Sequence, residues 1–142
     1  MEGIISGKRT FLGRYESLSS IRDFVLQAAQ EAGLDRAGAY AIQLAVDEAC
    51  SNIIDHAYGG ENRGEIECET VVRSDGLEVY LSDRGKPFEP LDVPEPDLTR
   101  PIEEVVPRGV GFYLMKKMVD ELEYHHSAAK GNVMRLFKRK PG

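Results

Sequence analysis

The chain has 142 residues, a formal net charge of −6, 42% hydrophobic and 30% charged residues, the size and balance of one soluble domain around one core. The acidic balance argues against direct nucleic-acid binding, which needs a clustered basic surface; Lys138-Arg139-Lys140 reads as a solvated strand end. No apolar run suits a signal peptide or approaches the roughly 20 residues of a membrane span, and Cys50 and Cys68 lack zinc-ligand or CxxC spacing, so a soluble, unprocessed cytoplasmic protein with no membrane partner is expected.

Residues from about Lys8 to Tyr15 alternate as an edge strand. Ser17 or Ser19 is placed to cap a helix that runs to about Ala32, where Gly33 stops it, with Ile21, Phe24, Val25 and Ala28 as its buried stripe. Asp35 opens a longer helix with Ala41, Leu44, Ala45, Ala49, Ile53 and Ala57 facing inward and Gly59-Gly60 at its end. IECETVVR and LEVYLSD, separated by Ser74-Asp75-Gly76, read as an antiparallel hairpin. The segment Glu89 to Pro107 holds five of the seven prolines, which excludes a regular helix or a central strand. So long a loop in a small domain suits a lid or binding loop. Gly109-Val110-Gly111 then leads into a helix with Phe112, Leu114, Met115, Met118 and Val119, and LEYHHSA and NVMRLFKR close the chain as two strands joined at Lys130-Gly131. This order predicts an α+β protein, a single domain over 1–142 built as a two-layer α/β sandwich with helices on one face of a mixed, mainly antiparallel sheet.

The most informative stretch is VDEACSNIIDHAYGG, Val46 to Gly60. On a helix Glu48 and Asn52 are four residues apart and Asp55 three further, so they share a polar strip, with Val46, Ile53 and Ala57 on the other side. An Asn amide oxygen suits a hard cation such as Mg²⁺, and a carboxylate one turn earlier could hold a water or hydroxyl for attack on phosphorus. A solvated helix face explains the same spacing, and the strip alone does not separate the two. In LSDRGKPFEP an apolar strand ends in Asp83, whose carboxylate can accept from an exocyclic amine, and Gly85 would let a flat ligand approach the backbone; a plain Asp-Arg-Gly turn is the alternative. In RGVGFYLMKKM, glycines ahead of an amphipathic helix present free N–H groups to phosphate oxygens, without the GK[ST] of a P-loop or the preceding strand of a dinucleotide fingerprint.

Taken in order, VDEACSNIIDHAY, DRGKPF and RGVGFYLMKKMVDELEY, with the closing GNVMRLFKR, resemble the GHKL-type (Bergerat fold, histidine-kinase-like) ATPases, and within them the small anti-sigma-factor serine/threonine protein kinases. The resemblance runs from about Thr10 to Arg139. It implies an ATP- and Mg²⁺-dependent serine protein kinase that holds a sigma factor and phosphorylates a serine of its STAS-type anti-anti-sigma antagonist, and that forms a homodimer. It implies Asn52 as the Mg²⁺ ligand, Glu48 as general base, Asp83 as the acceptor for the adenine amine and Gly85 as room for the ring. Residues 89–108 would be the lid, and Gly109, Val110 and Gly111 the phosphate-binding turn, with Arg108 reaching a phosphate oxygen. Asp55, Phe88 and Asn132 are expected beside the nucleotide, Asn132 standing where many relatives have Thr. Two other uses of the fold remain at this stage: a non-catalytic nucleotide-binding switch that controls a partner such as a phosphatase, and the ATPase part of a histidine phosphorelay.

His125-His126 is read as structural, because adjacent residues on a strand point to opposite faces. Cys50 is read as a small buried hydrophobe, and His56 and Tyr58 as helix-end packing.

Overall fold

The computed structural model describes residues 3–87 and 115–142; the expected lid 89–108, together with Phe88, Arg108, Gly109, Val110 and Gly111, lies outside the described residues. Strands β1 (Ile4–Leu12), β2 (Glu65–Arg73), β3 (Gly76–Asp83), β4 (Glu121–Ser127) and β5 (Gly131–Arg139) form one sheet in the order β1-β2-β3-β5-β4. Every described pairing is antiparallel. Strand β1 lies at the edge, as its alternation predicts, and begins earlier than expected, with an irregular register between Ile5 and Gly7.

Period-two alternation decides which face is covered. On β2, Ile66, Cys68 and Thr70 are buried, while Glu65, Glu67 and Glu69 between them point to the opposite, helix-free face. Leu77, Val79 and Leu81 of β3 and Met134 and Leu136 of β5 continue the apolar face. Helices α1 (Leu18–Glu31) and α2 (Arg36–Asn52) pack on it, α1 over β1 to β3 and α2 over β5. Residues 115–118 are also helical, with Met115 and Val119 buried in the same core. Among the described residues no helix is long and apolar enough to cross a membrane.

The helices depart from expectation in instructive ways. Ser17 sits at the N-cap of α1 but makes no capping bond, because the 3-10 turn Tyr15–Ser17 already leads the chain in. Asp35 does cap α2, its side chain accepting from the Gly38 amide at 2.8 Å. The buried stripe of α2 is Ile42, Ala45, Val46, Ala49 and Cys50; Ala41 and Leu44 are only half-buried, so the inward face is offset by a residue or so from the one expected. The larger departure follows Asn52, where Ile53–Ala57 form a π-helical turn closed by the Tyr58 amide on the Ile53 carbonyl at 2.9 Å. Such a wide turn rotates later residues relative to an α-helix, and the chain leaves helical geometry at Gly59, φ 75°.

Removing the α2 cap with Asp35→Ala leaves an end amide unpaired and should lower unfolding free energy by about 1 kcal/mol, read as a lower urea midpoint with unchanged slope.

Candidate functional site

The end of α2 and the end of β3 meet over the core. Asn52, the last residue of α2, is 5% exposed, and Asp83, the last of β3, is 6% exposed. With Ala49, Ile53, Ala57, Tyr124 and Met134 they line a cavity of about 20 Å³. Its walls are mostly apolar with two polar groups converging, the chemistry of a site for a flat ring that carries one polar edge. The described walls leave room for one water, so a purine requires them to part. The Asn52 Nδ2 is buried without a hydrogen-bond partner among the described residues, an uncommon state for a buried amide.

Asp83 is held by its surroundings on one oxygen. Its Oδ1 accepts from the Gly85 amide at 2.9 Å and from Asn132 Nδ2 at 2.7 Å, while Oδ2 accepts from no described residue. The loop after β3 is also bonded to the π turn: Lys86 N–H donates to the Ala57 carbonyl at 2.7 Å, and Arg84 N–H donates to the Tyr58 hydroxyl at 3.0 Å. That hydroxyl in turn donates to the Glu65 carbonyl at 2.6 Å. A Cβ on Gly85 would lie 2.5 Å from the Ala57 carbonyl oxygen, so glycine is what lets the loop lie against the helix end. The crowding at Gly85 thus comes from the protein's own backbone, a constraint the sequence does not display. Gly131, at φ 74°, would place a Cβ 2.5 Å from the Asp83 carbonyl oxygen, which keeps β5 close to the same loop.

Burial pushes the Asp83 carboxyl above its ordinary value, and the bonds from Asn132 and Gly85 and the charge of His126 oppose that rise. Burial likewise raises the Cys50 thiol, with Cys68 and Asp47 adding to it, and raises Cys68 to about 12. Neither is a thiolate at neutral pH, which agrees with their reading as core residues.

Glu48 is half-buried one turn before Asn52 and makes no hydrogen bond or ion pair with a described residue. Asp55 is exposed, accepts a hydrogen bond from the Tyr15 hydroxyl, and does not line the cavity. The expected polar strip therefore stops at Asn52, which is buried at the inner end of α2 and shares the cavity with the inward-facing Ala49, Ile53 and Ala57. Asn132 is 1% exposed and spans the site, its Nδ2 also donating to the Gly85 carbonyl at 3.0 Å. His125 and His126 point to opposite faces, as read, yet the His126 ring bonds Asn132. Tyr58, Tyr124, Met134 and His126 were not read as part of the site. The parity of β4 against β5, with Tyr124 opposite Met134 and His126 opposite Asn132, is the signal that could have found three of them.

A second concavity of about 620 Å³ lies on the helix-free face of the sheet, lined by Glu67, Glu69, Tyr80 and Ser82 among others, with Asp83 at its margin. It is larger and more open, but Asn52 and its orphaned amide are not in it. Among the described residues no group of three His, Cys, Asp or Glu side chains could hold a metal. A single buried amide fits an ion such as Mg²⁺ that brings water and phosphate oxygens of its own.

Residues 11–138 match the histidine kinase-like ATPase domain, and the chain belongs to that family, within which it is a GHKL-type member related to the anti-sigma kinases. Its curated relatives include the serine-protein kinase RsbW of Bacillus velezensis, 36% identical over 87 residues, which are 58% of this chain and 54% of that protein. The serine-protein kinase RsbW of Bacillus subtilis (strain 168) is 34% identical over 86 residues, 57% of this chain and 53% of that one. The chain thus spans about half the length of these relatives in the match. The solved structure of the RsbU and RsbW domains of Rv1364c from Mycobacterium tuberculosis shares the fold, with a TM-score of 0.64 at 16% identity, covering 96% of this chain and 32% of that one.

Asp83→Asn keeps an Oδ1 that can accept both bonds and removes a buried charge. Because the folded pKa of Asp83 is raised, its ionisation favours the unfolded state. Wild type should lose stability relative to the variant as pH rises from about 4, the ordinary Asp value, with the gap levelling off above the folded pKa. Denaturant titrations at several pH values read this; a stability difference that stays constant or shifts the other way as pH rises from about 4 to 7 would contradict it.

Proposed function

We propose that the protein is an ATP-dependent serine protein kinase that acts as an anti-sigma factor, binding a sigma factor and phosphorylating a serine of a STAS-type antagonist. Membership of the ATPase family and the relatives named serine-protein kinases support this reading. The observation that carries it is the convergence on one cavity of Asn52, whose Nδ2 has no partner among the described residues, and the half-engaged Asp83 carboxylate.

In this reading the 142 residues form one ATP-binding domain, with 89–108 as its lid and Arg108, Gly109, Val110 and Gly111 at the phosphates. Asp83 Oδ2, the oxygen left open, accepts from the exocyclic amine of adenine. Asn52 turns its amide oxygen toward Mg²⁺, which would neutralise charge on the phosphate oxygens. Glu48, uncommitted to any described partner, takes the proton of the substrate serine as Oγ bonds to the γ-phosphorus. The bond from that phosphorus to the bridging oxygen breaks, and ADP leaves with the electron pair. The serine thereby becomes a phosphoserine and the proton passes from Glu48 to solvent. Phosphoryl transfer depends chiefly on positioning and charge stabilisation, so this small set of groups suffices. The same reading takes the protein as a cytoplasmic homodimer.

Incubation with labelled ATP, Mg²⁺ and a STAS-type antagonist tests it. Glu48→Ala should lower serine labelling by about 10²- to 10⁴-fold while ATP binding survives, and Asn52→Ala should abolish the Mg²⁺ dependence of ATP binding. Binding without any transfer by the wild type would leave a nucleotide-dependent switch in place of a kinase.

A further inference from the structure

We propose that His126 is a positioning residue of the nucleotide site, which through Asn132 sets the Asp83 carboxylate and so the preference for a base that presents an amine. This rests on the reading of Asp83 as the base-recognising group. The three residues stand in one row across the sheet: Asp83 on β3 pairs with Asn132 on β5, and Asn132 pairs with His126 on β4. Their side chains lie on the helix-covered face and bond in series, His126 Nδ1 to Asn132 Oδ1 at 2.8 Å and Asn132 Nδ2 to Asp83 Oδ1 at 2.7 Å.

The direction of each bond follows from the acceptors. Asn132 Nδ2 faces both the Asp83 carboxylate and the Gly85 carbonyl, which can only accept, so the amide nitrogen belongs there and Oδ1 faces the imidazole. His126 must then carry its proton on Nδ1 and donate it. Were Nδ1 to accept instead, the amide would turn its nitrogen to the ring and set Oδ1 against two acceptors. The His126 N–H therefore reinforces the amide orientation that occupies Asp83 Oδ1 and leaves Oδ2 for the ligand. His126 is exposed, so it acts from the rim of the site and can be replaced at little cost to the core.

Three substitutions isolate the donor. In His126→Asn the Nδ2 is bonded to Cγ as Nδ1 is, and keeps a donor in place; His126→Ala removes it; His126→Asp puts an acceptor there and draws the Asn132 nitrogen away from Asp83. ATP and GTP binding are measured by calorimetry on the full chain, beside Asp83→Asn, and imidazole ¹⁵N spectra of the nucleotide-free wild type report the tautomer of the neutral ring. The expected results are an Nδ1–H tautomer, ATP binding by His126→Asn within about twofold of wild type, and weakening by about three- to tenfold in His126→Ala. His126→Asp should weaken ATP further and narrow the ATP/GTP preference, with thermal midpoints close to wild type throughout. An Nε2–H tautomer, or wild-type ATP binding by His126→Asp while Asp83→Asn loses it, overturns the role of His126. Wild-type ATP binding by Asp83→Asn instead overturns base recognition by Asp83 itself, and the two failures are separable.

Discussion

The site depends on what holds one oxygen of Asp83. That oxygen receives two N–H groups, one from its own loop and one from Asn132 across the β3–β5 pair, and each bond to a charged acceptor contributes about 1.5–3 kcal/mol against the cost of burying the carboxylate. The loop they shape is bonded in turn to the π turn of α2 through Ala57 and Tyr58. The sheet, the helix end and the last hairpin therefore share one set of hydrogen bonds. That set joins the Asp83 wall of the cavity to the wall formed by the end of α2, where Asn52 stands.

Much of the architecture is legible in the residues. Alternation on β2, the turn at Ser74-Asp75-Gly76 and the Asp35 cap mark the elements in order, and the edge placement of β1 agrees with its alternation. The order of strands is not legible, because pairing β5 between β3 and β4 is a long-range choice that no local period encodes. Asn52, Asp83 and Asn132 are legible as candidate site residues only through the family resemblance, since spacing alone suits a solvated face or a common turn. The π turn is not, because IIDHA contains no breaker to announce it; Ile53 and Ala57 are buried in the core as their spacing predicts, while Asp55, expected on one strip with Asn52, is exposed. His126 was set aside because strand parity was applied within β4 and not across to β5.

The opposite face of the sheet has a different character. There Arg135 bonds Glu78 at 2.5 Å and Glu121 at 2.9 Å, and its guanidinium is 5.7 Å from the Phe137 ring. These groups link β3, β5 and β4 on the face opposite the one on which Asp83, Asn132 and His126 stand. A stiff sheet with a loop bonded to a helix end is suited to holding a carboxylate fixed while a ligand enters from the α2 side.

The most direct measurement is the pattern of ¹H–¹⁵N shifts when Mg²⁺-ATP is added to the labelled protein. The account predicts that the largest changes fall on the Gly85 amide and on the side-chain amides of Asn52 and Asn132. Changes confined to Glu67, Glu69, Tyr80 and Ser82, on the other face, would contradict it.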